Sequence, residues 1–158
     1  MNYSFESFWA TGPLNELLTD SRLFEVTALD QETMKYSWSM ASWKAWLESE
    51  GGTKLLSIAT LDGNLVGFSL WQLSPGTPAE LLKIAVTKKQ QGSSLATSFW
   101  SYNINKLKVL GYREILLEVE SSNLRAQRFY QKIGFKELGI RKKFYSDGND
   151  AVSLKLSF

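Results

Sequence analysis

Glu118 breaks the apolar run Ile115-Leu116-Leu117-Glu118-Val119, and it is the first residue to which chemistry can be assigned. A carboxylate in a strand covered on both faces is partly desolvated, which raises its pKa toward the range of a useful base. A solvent-facing place near a strand end fits the same residues, since Glu120 and Ser121 follow closely. The stretch from Leu82 to Ala96 offers a different chemistry. A strand that delivers a small-residue turn into a helix start leaves several N–H groups unpaired, and with the helix dipole they can cradle a phosphate. Gly92, Ser93, Ser94 and Ala96 would keep side chains away from such a ligand. Taken alone, an ordinary capped helix is the simpler account of so short a motif. Tyr130 lies at helical spacing from Ala126 and Ile133, the pattern of a core tyrosine with a satisfied hydroxyl. Asn123 has the residue type of an N-cap.

The chain has 158 residues and contains neither cysteine nor histidine. Disulfides, a thiol nucleophile, the commonest general base and the commonest zinc ligand are thereby excluded. Catalysis falls to carboxylates, tyrosine, serine, lysine or the backbone, and no metal is expected. Hydrophobic residues at 44% and charged residues at 22% suit one globular domain over residues 1–158. No apolar stretch approaches the roughly 18 residues of a membrane span. The opening Met1-Asn2-Tyr3-Ser4-Phe5-Glu6 lacks the basic and apolar regions of a secretory signal. No membrane partner and a cytoplasmic location are expected. The net charge of +2 hides an asymmetry: residues 1–80 hold 4 Lys and Arg against 10 Asp and Glu, while residues 81–158 hold 14 against 6. Such polarity suits an anionic ligand for the second half and a cationic one for the first, or solvated surface on both. The basic residues are scattered among apolar positions, which argues against a nucleic-acid partner.

These residues need elements to position them. Apolar spacing predicts a helix over Leu14 to Leu29, with Leu14, Leu17, Leu18, Phe24 and Leu29 as its apolar members. Ser39 or Ser42 caps a second helix through Trp43, Trp46 and Leu47, up to Gly51-Gly52. Lys54 to Thr60 and Leu65 to Trp71 read as a hairpin around Asp62-Gly63. Leu81 to Val86 is a strand, Ser94 to Leu110 a helix, Glu114 to Val119 a strand, and Asn123 to Ile133 a helix stopped by Gly134. Lys136 to Tyr145 and Ala151 to Phe158 close as a last pair. Alternating helices and strands in the middle with hairpins at the edges describe a mixed α/β sheet.

Several spaced motifs together resemble the GCN5-related N-acetyltransferase superfamily, and within it the RimI-like enzymes that acetylate a ribosomal protein's N-terminal alanine. The family's pyrophosphate motif is Gln or Arg, two residues, Gly, one residue, then Gly or Ala. Here Gln91-Gly92-Ser93-Ser94-Leu95-Ala96 matches at Gln91 and Ala96, with Ser94 in place of the central glycine. The RimI-like segment is matched by Leu117-Glu118-Val119, Ser122-Asn123, Phe129-Tyr130 and Gly134-Phe135, and the closing hairpin by Arg141 to Tyr145, Asp147-Gly148 and Asp150-Ala151. Trp38-Ser39 also falls where such enzymes carry Trp-Ser. The likeness covers roughly residues 36–158 and is strongest from Leu81 onward.

The resemblance implies a mixed, mostly antiparallel sheet flanked by helices on both faces, and acetyl-CoA as cosubstrate. It implies that Ile84, Ala85 and Val86 present backbone to the acetyl and pantetheine groups. The turn Gln91, Gly92, Ser93, Ser94, Leu95, Ala96 would hold the pyrophosphate, with Asn123 touching the cofactor beyond it. Glu118 becomes the base and Tyr130 the acid for the leaving thiolate, while Trp38 and Tyr145 fall on the acceptor side. A positive φ at Ser94, where the family has glycine, would cost about 1–2 kcal/mol. The expected reaction is direct attack of a primary amine on the thioester. An α-amine, with a pKa near 7.7–8.0 against about 10.4 for lysine, is the easier acceptor near neutral pH. A peptide N-terminus followed by basic residues, drawn by Glu25, Asp30 and Glu32, is the expected partner. An aminoglycoside or polyamine acceptor and a non-catalytic CoA-binding module are the alternatives.

Overall fold

The computed structural model describes residues 1–14 and 18–158. Among them, seven strands form one sheet in the order β1-β2-β3-β4-β5-β7-β6. In chain order the elements are β1 (Tyr3–Thr11), α1 (Asp20–Thr33), α2 (Met40–Glu48), β2 (Thr53–Leu61), β3 (Asn64–Leu73), β4 (Ala79–Val86), α3 (Leu95–Val109), β5 (Glu114–Glu120), α4 (Leu124–Lys132), β6 (Lys136–Arg141) and β7 (Ala151–Ser157). All neighbours pair antiparallel except β4 and β5, which run parallel. The turn between β2 and β3 puts both Asp62 and Gly63 at positive φ, the conformation that matches hairpin twist.

Two apolar layers sandwich the sheet. Leu23, Val26 and Leu29 of α1 pack with Trp43 and Leu47 of α2 on Leu56, Ile58, Phe68 and Leu70 of β2 and β3. On the other face, Trp100 and Leu107 of α3 and Tyr130 of α4 pack on Trp71, Leu81, Leu117 and Val119. Both faces are therefore covered, so β2 is buried at nearly every position rather than at every second one.

One strand, β1, has no counterpart among the expected elements, and two expected boundaries move. β1 lacks a sustained alternation, because Tyr3 and Phe5 pack toward α3 while Phe8 and Ala10 pack toward α1 and α2. α1 begins at Asp20, where the Thr19 side chain accepts from the Arg22 amide, and not at Leu14. Its expected apolar member Phe24 is 65% exposed, and Leu17 lies outside the described residues. β6 stops at Arg141, so Lys142 to Asp150 form the connection to β7.

One buried ion pair ties α1 to the sheet. Lys83 Nζ on β4 donates to Asp30 Oδ1 at 3.0 Å and to the Tyr36 carbonyl at 2.9 Å. Asp30 Oδ2 accepts from the Trp38 amide and from Trp43 Nε1, each at 2.9 Å. Burial pushes the Lys83 pKa down, and the neighbouring Asp30 carboxylate opposes that shift. Removing one partner of a buried pair leaves the other charge uncompensated, which costs about 3–5 kcal/mol. Asp30→Asn and Lys83→Met are each expected to lose stability on that scale in urea denaturation. The double variant should be more stable than either single one, because the carboxamide oxygen can still accept from the tryptophan while no buried charge remains.

Candidate active site

The pairing of β4 with β5 lasts from Ala79↔Ile115 to Leu81↔Leu117 and then ends. A register shift in the β3–β4 pairing falls at the same level, so that Leu82 is skipped between Leu81 and Lys83. Past this bulge β4 diverges, and among the described residues no strand pairs with its β5-facing edge. The gap is a cleft of about 170 Å³ lined from both sides of the sheet: Lys35 and Tyr36 from the α1–α2 connection, Glu118 and Glu120 from β5, and Asn123 and Tyr130 from the α4 side. A wider open groove of about 430 Å³, between Pro75–Pro78 and Leu110–Glu114, lies at the opposite ends of β4 and β5 and carries none of the candidate residues.

Strand periodicity divides the cleft chemically. Leu117 and Val119 face the α3–α4 layer, so Glu118 and Glu120 face the other side. Glu118 Oε1 accepts from Arg141 Nη1 at 3.1 Å and Ser153 Oγ at 3.0 Å. Its side chain is 26% exposed, a partial burial. Tyr130 rises from α4 within the opposite core layer, in edge contact with Phe129 and Phe135. Burial raises its pKa strongly, with Tyr145 adding to the effect, so the phenol keeps its proton. Its hydroxyl has no hydrogen-bond partner among the described residues and is not sealed from solvent, which leaves it open to the cleft. Ile84 and Tyr145 line the same cleft. The Tyr145 phenol is pushed up to about 12 by burial and by the nearby Tyr36, Glu120 and Glu118.

The turn before α3 matches the phosphate-cradle geometry. Gly92 takes φ +81°, and a Cβ built there would meet no atom within 4 Å. The amides of Gly92, Ser94, Ala96 and Thr97 have no partner among the described residues, whereas the Leu95 amide bonds to Ser93 Oγ at 3.2 Å. Ser94 sits at φ −67°, ψ −12°, so the strain expected from its replacing glycine is absent. Gln91 Oε1 accepts from Arg125 Nη1 at 2.9 Å, which joins the turn to the first turn of α4. The Asn123 side chain caps α4 by accepting from the Ala126 amide.

Not every expected residue reaches the cleft. The Trp38 ring packs on Trp43 and lies over Lys83 Nζ, 4.9 Å from the ring centre. The Ala85 side chain faces the α1–α2 core and Leu95 is buried, positions that leave the backbone roles expected of both residues open. Asp30 is fully buried, and Glu25 pairs with Arg22 on the α1 surface, so these two do not form an acidic acceptor face.

A polar cluster at the cleft mouth was not anticipated. Lys35 Nζ bonds Glu120 Oε1 at 2.7 Å and lies 3.2 Å from Asp147 Oδ2. Tyr36 donates to Asp147 at 2.9 Å and stacks on Tyr145 with ring centres 4.1 Å apart. Asn149 Nδ2 donates to Glu120 at 2.7 Å. These contacts join the α1–α2 connection to the β6–β7 connection. The period of a strand carried one signal: a carboxylate two residues beyond Glu118 must share its face.

Residues 17–135 match the family described as acetyltransferase (GNAT). An uncharacterized N-acetyltransferase of Methanocaldococcus jannaschii is 31% identical over 99 residues, covering 60% of this chain and 61% of that protein. A [ribosomal protein bS18]-alanine N-acetyltransferase of Haemophilus ducreyi is 32% identical over 126 residues, 79% of this chain and 81% of the relative. The crystal structure of the ribosomal-protein-S18-alanine N-acetyltransferase from Escherichia coli superposes with a TM-score of 0.80 at 26% identity, covering 99% of this chain and 94% of that one.

The mouth cluster has a definite acid sensitivity. Lys35 holds the Glu120 carboxyl below its ordinary range, and Lys142 does the same for Asp150. At Asp147 burial works to raise the carboxyl, but hydrogen bonds from Asn149 and Tyr36 outweigh it and the net shift is downward. Carboxyls lowered in the folded state contribute stability that is full above their unfolded values, about 3.9–4.3, and is lost as pH falls through the lowered ones. The protection factors of the Lys143 and Asn149 amides, which donate to Asp150 and Asp147, are expected to fall below about pH 4, ahead of those of amides in β2 and β3.

Proposed function

The chain belongs to the acetyltransferase (GNAT) family, and we propose that it moves the acetyl group of acetyl-CoA onto the α-amine of a protein N-terminus by direct attack in a ternary complex. One observation carries this reading: the cleft runs through the sheet, with a carboxylate on one side and, on the other, a tyrosine hydroxyl without a partner among the described residues. Acetyl-CoA would lie along the open edge of β4, its pyrophosphate on the free amides of Gly92, Ser94, Ala96 and Thr97. Arg125, exposed beside Gln91, adds a cation for the phosphates.

The acceptor would enter from the Glu118 side. Its neutral nitrogen attacks the thioester carbonyl carbon, and a backbone N–H of β4 would stabilise the oxyanion. Glu118 receives the nitrogen's proton, directly or through water. The C–S bond then breaks, and Tyr130 donates its proton to the departing thiolate. A group that titrates high suits that second role, because it remains protonated at the working pH. Ribosomal-protein N-terminal alanine acetylation, named for the Haemophilus and Escherichia relatives, suggests small first residues as acceptors. The preference for basic following residues receives no support from Asp30 or Glu25.

Glu118→Gln is expected to lower kcat/KM for an alanine-starting peptide about 10²–10⁴-fold at pH 7 and less at pH 9, where the amine is already neutral. Tyr130→Phe should lower kcat on a similar scale while leaving acetyl-CoA affinity unchanged. Full activity in both variants across this range would refute the assignment. Acetyl-CoA at a hundredfold over its dissociation constant should stabilise the wild-type fold by about 2.7 kcal/mol in thermal melts. Gly92→Ala should weaken that effect through strain at positive φ, whereas Ser94→Gly should not strengthen it.

A further inference from the structure

Glu120 shares its strand face with Glu118, two residues on, a spacing of about 6.6 Å along a strand. The two carboxylates are held by different partners. Glu118 is fixed by Arg141 and Ser153 from β6 and β7, Glu120 by Lys35 and Asn149 from the two connections at the mouth. In both residues the described bonds fall on Oε1, so Oε2 keeps its capacity for another donor. Glu120 lines the cleft although its side chain is only 11% exposed.

An ammonium already rests at this spot. Lys35 Nζ lies between Glu120 and Asp147 and 5.1 Å from the centre of the Tyr36 ring. Carboxylates together with an aromatic face are the surroundings in which a cationic nitrogen is stabilised. Building on the acetyltransferase reading above, we propose that Glu120 is a specificity-determining residue of the acceptor side, receiving the acceptor's cationic amine through Oε2 and holding it beside Glu118. The α-amine arrives mostly protonated near neutral pH, and the nitrogen regains positive charge as the C–N bond forms. A carboxylate kept ionised by Lys35 can serve both stages without taking up a proton: the ammonium gives one proton to water to become the neutral nucleophile, and the second, released after the C–N bond forms, passes to Glu118.

The charged and titratable groups facing Glu120 are Lys35 and Tyr36 from the α1–α2 connection, Tyr145 and Asp147 from the β6–β7 connection, and Glu118 on β5. Lys83, across the cleft on β4, is held by Asp30.

Peptide binding at pH 6 in the presence of CoA, which has no acetyl group to transfer, tests the proposal. The probes are an alanine-starting tetrapeptide and its des-amino analogue, titrated into wild type, Glu118→Gln and Glu120→Gln. Wild type should prefer the amine about tenfold or more, as a charge-assisted hydrogen bond warrants. Glu118→Gln should retain that preference and Glu120→Gln should lose it, with unchanged CoA affinity and an intact melting transition. A preference lost in Glu118→Gln, or retained in Glu120→Gln, overturns the proposal. Should Glu120→Gln fail to fold, the Glu118→Gln result alone decides. A purely structural tie between the connections would weaken both probes equally, which also overturns it. If wild type acetylates no peptide N-terminus at all, the acceptor assignment on which the proposal rests fails instead.

Discussion

Parallel pairing between β4 and β5 covers three residues on each strand, and the site depends on its ending there. Had it continued, the backbone of Leu82 to Val86 would be consumed by the sheet, and no passage would connect the two faces. The bulge at Leu82 and the divergence after Leu81 have the opposite effect: they open strand edge in the middle of a sheet, normally a place with none. The stable part of the sheet lies on either side. Residues of β2 and β3 pair along nearly their whole length, and β5 pairs with β7 over seven residues. The cleft is thus a gap held open by two well-paired halves, which gives its walls a fixed separation.

Charge at the cleft mouth is arranged in local pairs rather than as a field of one sign. Glu118 meets Arg141, Glu120 meets Lys35, and Asp150 meets Lys142. All three of these carboxylates come from the second half of the chain and none from its acidic first half. The most buried carboxylate of that first half, Asp30, is neutralised by Lys83 from the other half. The basic excess of the second half includes Arg125, which stands at the turn where the amides of Gly92, Ser94, Ala96 and Thr97 have no partner among the described residues.

Much of the fold was legible in the sequence where one physical signal dominated. Asp62-Gly63 marked a hairpin, Ser39 or Ser42 a cap that the structure assigns to Ser39, and Gly134 a helix end, all at positive-φ or capping positions. β1 was not legible, because its inward residues switch faces midway and no simple alternation survives. Glu118, Tyr130, Asn123, Ile84 and Tyr145 line one cleft; the first three stood out by residue type and position, whereas Ile84 and Tyr145 were named only through the family resemblance. Lys35, Tyr36 and Asn149 escaped because they lie in connections whose meeting is decided by tertiary packing across more than a hundred residues of chain. Trp38 shows the converse: its ring is occupied by packing on Trp43 and over Lys83 rather than by the cleft.

The Asp30–Lys83 pair bears on how this sequence can drift over generations. Asp30 satisfies a lysine, a tryptophan indole and a backbone amide at once, from three different segments. A mutation at either charged position alone produces a strongly destabilised molecule, so a lineage leaves this arrangement only through a costly intermediate or two simultaneous changes. Related sequences should therefore keep both charges or replace both together. Trp43 should persist where Asp30 does, since its indole N–H would otherwise be stranded in the core. The α1–α2 connection that carries Lys35 and Tyr36 begins directly after α1, so its freedom to diversify is bounded by this buried anchor.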